Sequence, residues 1–262
     1  MTTISDRRFG GLARLYGVAG AQAIRDAHVA VVGVGGVGSW TAEALARSGV
    51  GRITLIDLDH VSESNINRQI HALESTVGQA KVMAMQDRIS QINPDCAVQC
   101  VDDFVTPENW PGILPQGVHA VVDACDQIQA KTAMAAWAMH QSGCVFVSVG
   151  AAGGKRMAHL VDIDDLSRVT HDPLLAQLRY RLRKSHAAPR EGRPMKVTCV
   201  FSREAVSPPD ASCDVLGDGS LNCSGYGSVV AVTASFGQCA AGWVLNEISK
   251  TSLRTVKNDA II

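Results

Sequence analysis

Apolar residues in this chain come in short runs, separated by stretches with helical spacing. Residues 28–32 (His-Val-Ala-Val-Val) predict a strand, and glycines follow at 33, 35, 36 and 38 before a helix over 39–48. Residues 53–56 predict a second strand that ends on Asp57. Val82, Met85 and Ile89 space a helix over 79–92, which Asn93-Pro94 stops. A third strand is expected over 97–101, a helix start at Thr106-Pro107-Glu108, a fourth strand over 118–123, a helix over 129–141 and a fifth strand over 145–149. Strands that alternate with helices at this spacing form a parallel sheet covered on both faces.

Beyond Gly150 the rhythm changes. A strand is expected over 157–163, a helix with a basic end over 172–184, a charged, proline-containing loop over 185–194, a short strand over 197–201 and a loop over 208–219. A last helix is expected over 228–250. Its apolar part, 229–244, is interrupted by Thr233, Ser235, Gly237, Gln238 and Gly242, which suits a buried helix packed through small residues and not a membrane span. The fold class is therefore α/β: a Rossmann-like parallel sheet with helices on both faces, plus a smaller C-terminal elaboration.

Composition narrows the class of function. Of the 262 residues 46% are hydrophobic and 19% charged, which supports a sizeable core. A net charge of −1 provides no protein-wide positive field for nucleic acid, so any such contact needs a local patch. The eight cysteines include no C-x-x-C pair, and residues 1–8 lack the apolar segment of a signal peptide. Reduced thiols in a cytoplasmic setting, with no membrane contact, are expected.

The chemistry concentrates after the first strand. Gly33-x-Gly35-x-x-Gly38 between a strand and a helix lets the backbone approach a phosphate, with free N–H groups at the helix start, and Gly36 falls in the same turn. Asp57 is placed to accept hydrogen bonds from ribose hydroxyls. These features alone fit an NAD-dependent dehydrogenase equally well. Asp59, Asn65, Arg68, Gln69 and Lys81 then add an amide and two cations within one connection. Hydride transfer builds no phosphate charge that would need them, whereas attack on an α-phosphate does. Asp126, just beyond the fourth strand, lies at the C-terminal edge of the sheet, where it could hold Mg²⁺ on phosphates.

Gly-x-Gly-Gly-Val-Gly-Ser at 33–39, Asp57-x-Asp59, Asn65-x-x-Arg68-Gln69, Lys81 and Asp123-x-x-Asp126 resemble, in order and similar spacing, the ubiquitin-activating superfamily. That resemblance implies adenylation of a carboxylate with ATP and Mg²⁺ in a homodimer. It also implies that an arginine of one subunit's N-terminal arm reaches the other's phosphates, and Arg14 is the residue placed to do so. Arg8-Phe-Gly-Gly, 13–17, 67–72, 102–107, 199–202 and 225–228 resemble, within that superfamily, the tRNA threonylcarbamoyladenosine dehydratases. The implied reaction is ATP-dependent cyclisation of the threonylcarbamoyl group on an adenosine beside the anticodon. On this reading residues 1–150 carry the N-terminal arm and ATP-binding domain, and 151–262 form a substrate-binding, tRNA-binding and dimerisation elaboration. Catalysis would fall to Arg14, Arg68, Lys81 and Asp126.

The rivals are distinguishable. Activators of ubiquitin-like sulfur carriers in this superfamily usually carry two C-x-x-C pairs for zinc; none is present, so no zinc is expected, although a sulfur-transfer protein remains a candidate partner. A non-catalytic ATP-binding module would not need to keep every charged residue. Cys223 is the cysteine best placed near a substrate, against the alternative of a buried inert thiol, and His71 and His159 are read as surface or core residues. Arg179, Arg181, Arg183 and Lys184, continuing through Arg190, Arg193 and Lys196, concentrate seven cations against Glu191. They are either a solvated face or a hold on tRNA phosphates, with Tyr180 available to stack on a base.

Overall fold

The computed structural model describes residues 4–190, 192–210 and 226–259. Helices α1 (Ile4–Phe9) and α2 (Leu12–Asp26) precede β1 (His28–Val32), α3 (Gly38–Arg47), β2 (Arg52–Ile56), α4 (Lys81–Ile92) and β3 (Ala97–Val101). Then come β4 (Ala120–Asp123), α5 (Ile128–Ala138), β5 (Val145–Val149), β6 (Val161–Asp165), α6 (Pro173–Ser185), β7 (Thr198–Ser202) and α7 (Val230–Asp259).

One sheet carries all seven strands in the order β3-β2-β1-β4-β5-β7-β6. Every pairing is parallel except that of β6 with β7. The reason is visible in β1. Val29 and Val31 point into one apolar cluster, Ala30 and Val32 into another, and all four are buried, so the strand is apolar throughout because both faces are covered. The first cluster includes Leu45, Met85, Phe236 and Val244 from α3, α4 and α7; the second includes Met134, Leu175 and Leu178 from α5 and α6. The last helix is indeed buried through small residues: Ala240 and Ala241 are in the core, and the Gly237 carbonyl accepts the Thr41 hydroxyl of α3 at 3.3 Å. Among the described residues no helix is long and apolar enough to cross a membrane.

Three local expectations change. The segment after Thr106 forms turns and no regular helix, because Pro111 lacks an N–H and Gly112 follows it. The strand expected over 157–163 begins only at Val161, since the Arg156 and Met157 N–H groups are taken by the Glu204 carboxylate and a single 3-10 turn, Ala158–Leu160, intervenes. Helix α2 is an addition, and Gly17, at φ 74° and ψ 166°, breaks its regular backbone.

Candidate functional site

Strands β2 and β4 flank β1, so the chain leaves β1 towards one side of the sheet and later returns on the other. The C-terminal ends of strands at such a switch point open a crevice. Here a cavity of about 320 Å³ opens there, lined by Gly35, Gly36, Asp57, Asp59, Asn65, Arg68, Gln69, Lys81 and Asp126. Ala151, Ala152, Leu174 and Thr233 complete it from beyond residue 150. Gly33 and Gly38 do not line it; they shape the turn. Gly33 has φ +83°, and a Cβ on Gly38 would collide with the Gly33 carbonyl.

The acids differ in their engagement. Asp57 Oδ2 accepts the Val34 N–H at 2.6 Å and Oδ1 accepts the Asp59 N–H at 2.9 Å, so β2 holds the glycine turn directly. Burial raises the Asp57 pKa, with nearby Lys81 opposing it. Asp59 pairs with Lys81 at 2.6 Å. Asp126 is exposed at the cavity and makes no hydrogen bond to another described residue.

The amides and cations are placed by backbone contacts. Asn65 accepts the Ser62 N–H and fixes the preceding turn. Arg68 bonds the Ser64 carbonyl at 2.6 Å, and its own carbonyl accepts Trp40 Nε1 from α3 and the Thr233 hydroxyl from α7. The Gln69 side chain is buried at the cavity with its Oε1 unpartnered, an acceptor left for a donor.

Some functional residues escape a sequence reading. Lys131 is wholly buried: its Nζ donates to Asp123 Oδ2 at 2.8 Å, to the Val149 carbonyl at 2.9 Å and to Ser148 Oγ at 3.2 Å. Burial is the largest influence on its pKa and lowers it, but the Asp123 charge and hydrogen bond, together with Cys125 and Cys199, outweigh it and the net shift is upward. The faint signal was a lysine amid the small and apolar residues of 128–138. Cys125 lines the cavity, but burial and Asp123 push its thiol pKa far up, so it is no ready thiolate. Cys213 and Cys223 lie outside the described residues, as does Glu191; the six described cysteines are free.

Arg14 is exposed on α2 beside exposed Leu15 and Val18 and does not line the cavity. The α6 cations divide. Arg179, Arg183, Lys184 and Arg190 border, with Tyr180, a groove of about 540 Å³, whereas Arg181 does not. Arg179 is tied at 2.9 Å to the Leu166 and Val169 carbonyls and Arg183 at 3.1 Å to that of Pro189, while Lys184 lies 5.7 Å from the Tyr180 ring. A wider groove of about 730 Å³ between α1, α4 and the 71–76 segment contains none of the predicted site residues. Its arginines are already engaged: Arg47 and Arg88 with Glu43, and Arg8 with the Ile92 carbonyl. The glycine turn and its charged partners mark the smaller cavity as the chemical one.

Residues 10–260 match the profile of the ThiF family. The chain belongs to the ThiF family. Among ThiF-family relatives, the tRNA threonylcarbamoyladenosine dehydratase of Escherichia coli is 43% identical over 257 residues, spanning 95% of this chain and 96% of the relative. The enzyme of that name from Haemophilus influenzae is 38% identical over 94% of each. The crystal structure of the E. coli dehydratase in complex with ATP superposes with a TM-score of 0.87 at 42% identity, covering 97% of this chain and 99% of that one. The molybdopterin-synthase adenylyltransferase of Salmonella typhimurium is 33% identical but matches only 52% of this chain.

His71, read from sequence as a surface or core residue, is a core residue, and both ring nitrogens lack a partner. Burial, with Lys81 and Arg88 adding to it, lowers its pKa to about 4. A histidine whose folded pKa lies below the unfolded value of about 6.5 binds its proton more readily when unfolded, so its stabilisation is full above pH 6.5 and is lost as pH falls towards 4. Urea unfolding at pH 7.5 and pH 5 should differ by roughly 2 kcal/mol more in the wild type than in His71→Gln. An equal pH dependence would refute the burial argument.

Proposed function

We propose that this protein is an ATP-dependent tRNA threonylcarbamoyladenosine dehydratase that works through an adenylated carboxylate. The observation that carries the reading is the convergence of the glycine turn, Asp57, Asn65, Arg68, Gln69, Lys81 and Asp126 on one cavity. The supporting likeness to the dehydratases spans 95% of the chain, against 52% for the molybdopterin-synthase adenylyltransferase.

The threonyl carboxylate of the modified adenosine attacks the α-phosphorus of ATP, the bond to the β-phosphate oxygen breaks, and pyrophosphate leaves. The carbamoyl nitrogen then closes on the acyl carbon and expels AMP, its proton passing to solvent. The nucleoside loses one water as ATP becomes AMP and pyrophosphate. The α3 N-terminus and the glycine turn receive phosphate oxygens. Asp57 takes ribose hydroxyls on the lone pairs its two backbone bonds leave free, and the Gln69 Oε1 takes a ligand donor. Arg68 and Lys81 meet the developing phosphate charge; Asp59 orients Lys81.

Asp126 suits a Mg²⁺ ion: an exposed, unengaged carboxylate beside a phosphate site is the kind of ligand this ion combines with water and phosphate oxygens. The ion would supply charge neutralisation on the phosphates. No cluster of three or more acidic, histidine or cysteine side chains occurs among the described residues, so most of its ligands would come from ATP and water. We assign the cytoplasm as the working compartment, a homodimer as the working form, and residues 1–150 and 151–262 to nucleotide binding and to tRNA binding with dimerisation. The outlying, exposed position of Arg14 beside Leu15 and Val18 suits action in the partner's site. Among the described residues no feature supports a sulfur-transfer protein partner.

Incubated with ATP, Mg²⁺ and tRNA carrying threonylcarbamoyladenosine, the protein should yield a nucleoside one water lighter, read by mass spectrometry. Asp126→Asn should lose at least about 100-fold of this rate with an unchanged melting temperature. A wild-type rate for the variant at limiting Mg²⁺ would remove the metal assignment, and no mass change with wild type would remove the function.

If Arg14 acts in trans, mixing inactive Arg14→Ala and Lys81→Ala subunits should restore partial turnover, because a mixed dimer contains one complete site. Proven subunit exchange without recovery would place Arg14 elsewhere.

The α6 groove gives a separate test. Arg183→Glu with Lys184→Glu should weaken tRNA binding about tenfold or more, leave ATP affinity intact and flatten the salt dependence by about 0.7–0.9 per lost contact. An unaltered slope in filter binding would move the RNA surface away from α6.

A further inference from the structure

Lys155 lies in the turn after β5, and neither the nucleotide motif nor the basic helix accounts for it. Its ammonium has no exposed surface and, among the described residues, no hydrogen-bond partner. It stands 3.6 Å from Asp172 Oδ2, also fully buried, and 5.8 Å from the centre of the Phe236 ring of α7. Burial lowers its pKa, and the Asp172 charge works against that loss. Glu204, the other carboxylate acting on it, is occupied by the Arg156 and Met157 N–H groups.

Asp172 has a structural task on its other side. Oδ1 accepts the Leu175 N–H at 3.0 Å and caps α6, while Oδ2 accepts the Ala151 N–H at 2.9 Å. It sits so close to Gly150 that a Cβ there would overlap the carboxylate, which explains why that position carries no side chain. Gly150, Ala151, Ala152 and Leu174 line the nucleotide cavity. A single buried carboxylate thus holds both the turn and the helix start that make this part of the cavity lining. Bare, it would also set a negative charge behind the phosphates in a low dielectric, where charges act over longer range than in water.

We infer that Lys155 is a positioning residue for the nucleotide: by neutralising Asp172 it lets the 150–154 turn stand beside a polyphosphate. The inference rests on the ATP reading of the cavity and adds a residue to it. It requires the effect to depend on charge and to grow with the phosphate charge of the ligand, which a merely structural role does not.

Calorimetric titration with ATP and AMP, without tRNA, separates the cases. Lys155→Met should weaken ATP about tenfold or more, because removing one partner of a buried pair leaves the other uncompensated, and should weaken AMP less. Adding Asp172→Asn, which removes the charge and leaves its one amide oxygen to accept the Ala151 N–H at the loss of the Leu175 cap, should raise ATP affinity at least about threefold above that of Lys155→Met. Wild-type ATP affinity in a folded Lys155→Met protein, or no recovery in the double variant, overturns the inference. Should Lys155→Met fail to fold, Lys155→Arg, which keeps the charge, is compared with Lys155→Gln, which loses it. The inference requires the arginine variant to bind ATP about tenfold more tightly than the glutamine variant, with a smaller difference for AMP, and equal affinities overturn it. Absence of ATP binding by the wild type would instead remove the reading on which the inference stands.

Discussion

The site depends first on an ion pair that it does not expose. Lys131 and Asp123 have no solvent-accessible side chain, and Ser148 and the Val149 carbonyl complete the lysine's hydrogen bonds. Burying two charges costs several kcal/mol per ion unless geometry repays it. Here the repayment ties the C-terminal ends of β4 and β5 to α5. Asp126 follows β4 by three residues and Gly150 follows β5 directly, so both sides of the cavity start from anchored strand ends. Among the described residues, groups at the cavity can then remain unsatisfied: Asp126 without a hydrogen bond, Gln69 with a buried, unpartnered oxygen. Their disposition is held from below.

Much of this was legible in the amino-acid order. The alternation of apolar runs with helical spacing gave the central sheet, and Asp57, Asp59, Arg68 and Lys81 surround the cavity because they all follow one strand end. Residues whose meaning depends on a distant partner were not legible. Lys131 looks like a surface lysine until Asp123 and Ser148 are brought under it. Asp172 was read only as the start of a helix, whereas it also holds Ala151, 21 residues away. The strand expected over 157–163 moved for the same reason, since Glu204 claims its first N–H groups from a loop that no local pattern predicts.

Equal charges have unequal freedom, and position along α6 decides it. Arg179 turns back to carbonyls of the segment after β6, so much of its donor capacity is spent on the fold. Lys184, near the end of the helix over Tyr180, is exposed and has an aromatic face beside it. A run of cations read as one patch is therefore part scaffold and part surface. The same division separates Asp123 from Asp126, two carboxylates three residues apart with opposite environments.

The Arg68 carbonyl receives Trp40 from α3 and Thr233 from α7, so the Arg68 side of the cavity is closed by a residue 165 positions further along the chain. A chain emerging from the ribosome can assemble β1 to β5 early, but the cavity stays open on that side until α7 has been made and has docked. A nascent protein of this design passes through a long stage in which it has a sheet but no complete cavity, whose lining is finished only when synthesis has reached the helix that supplies Thr233.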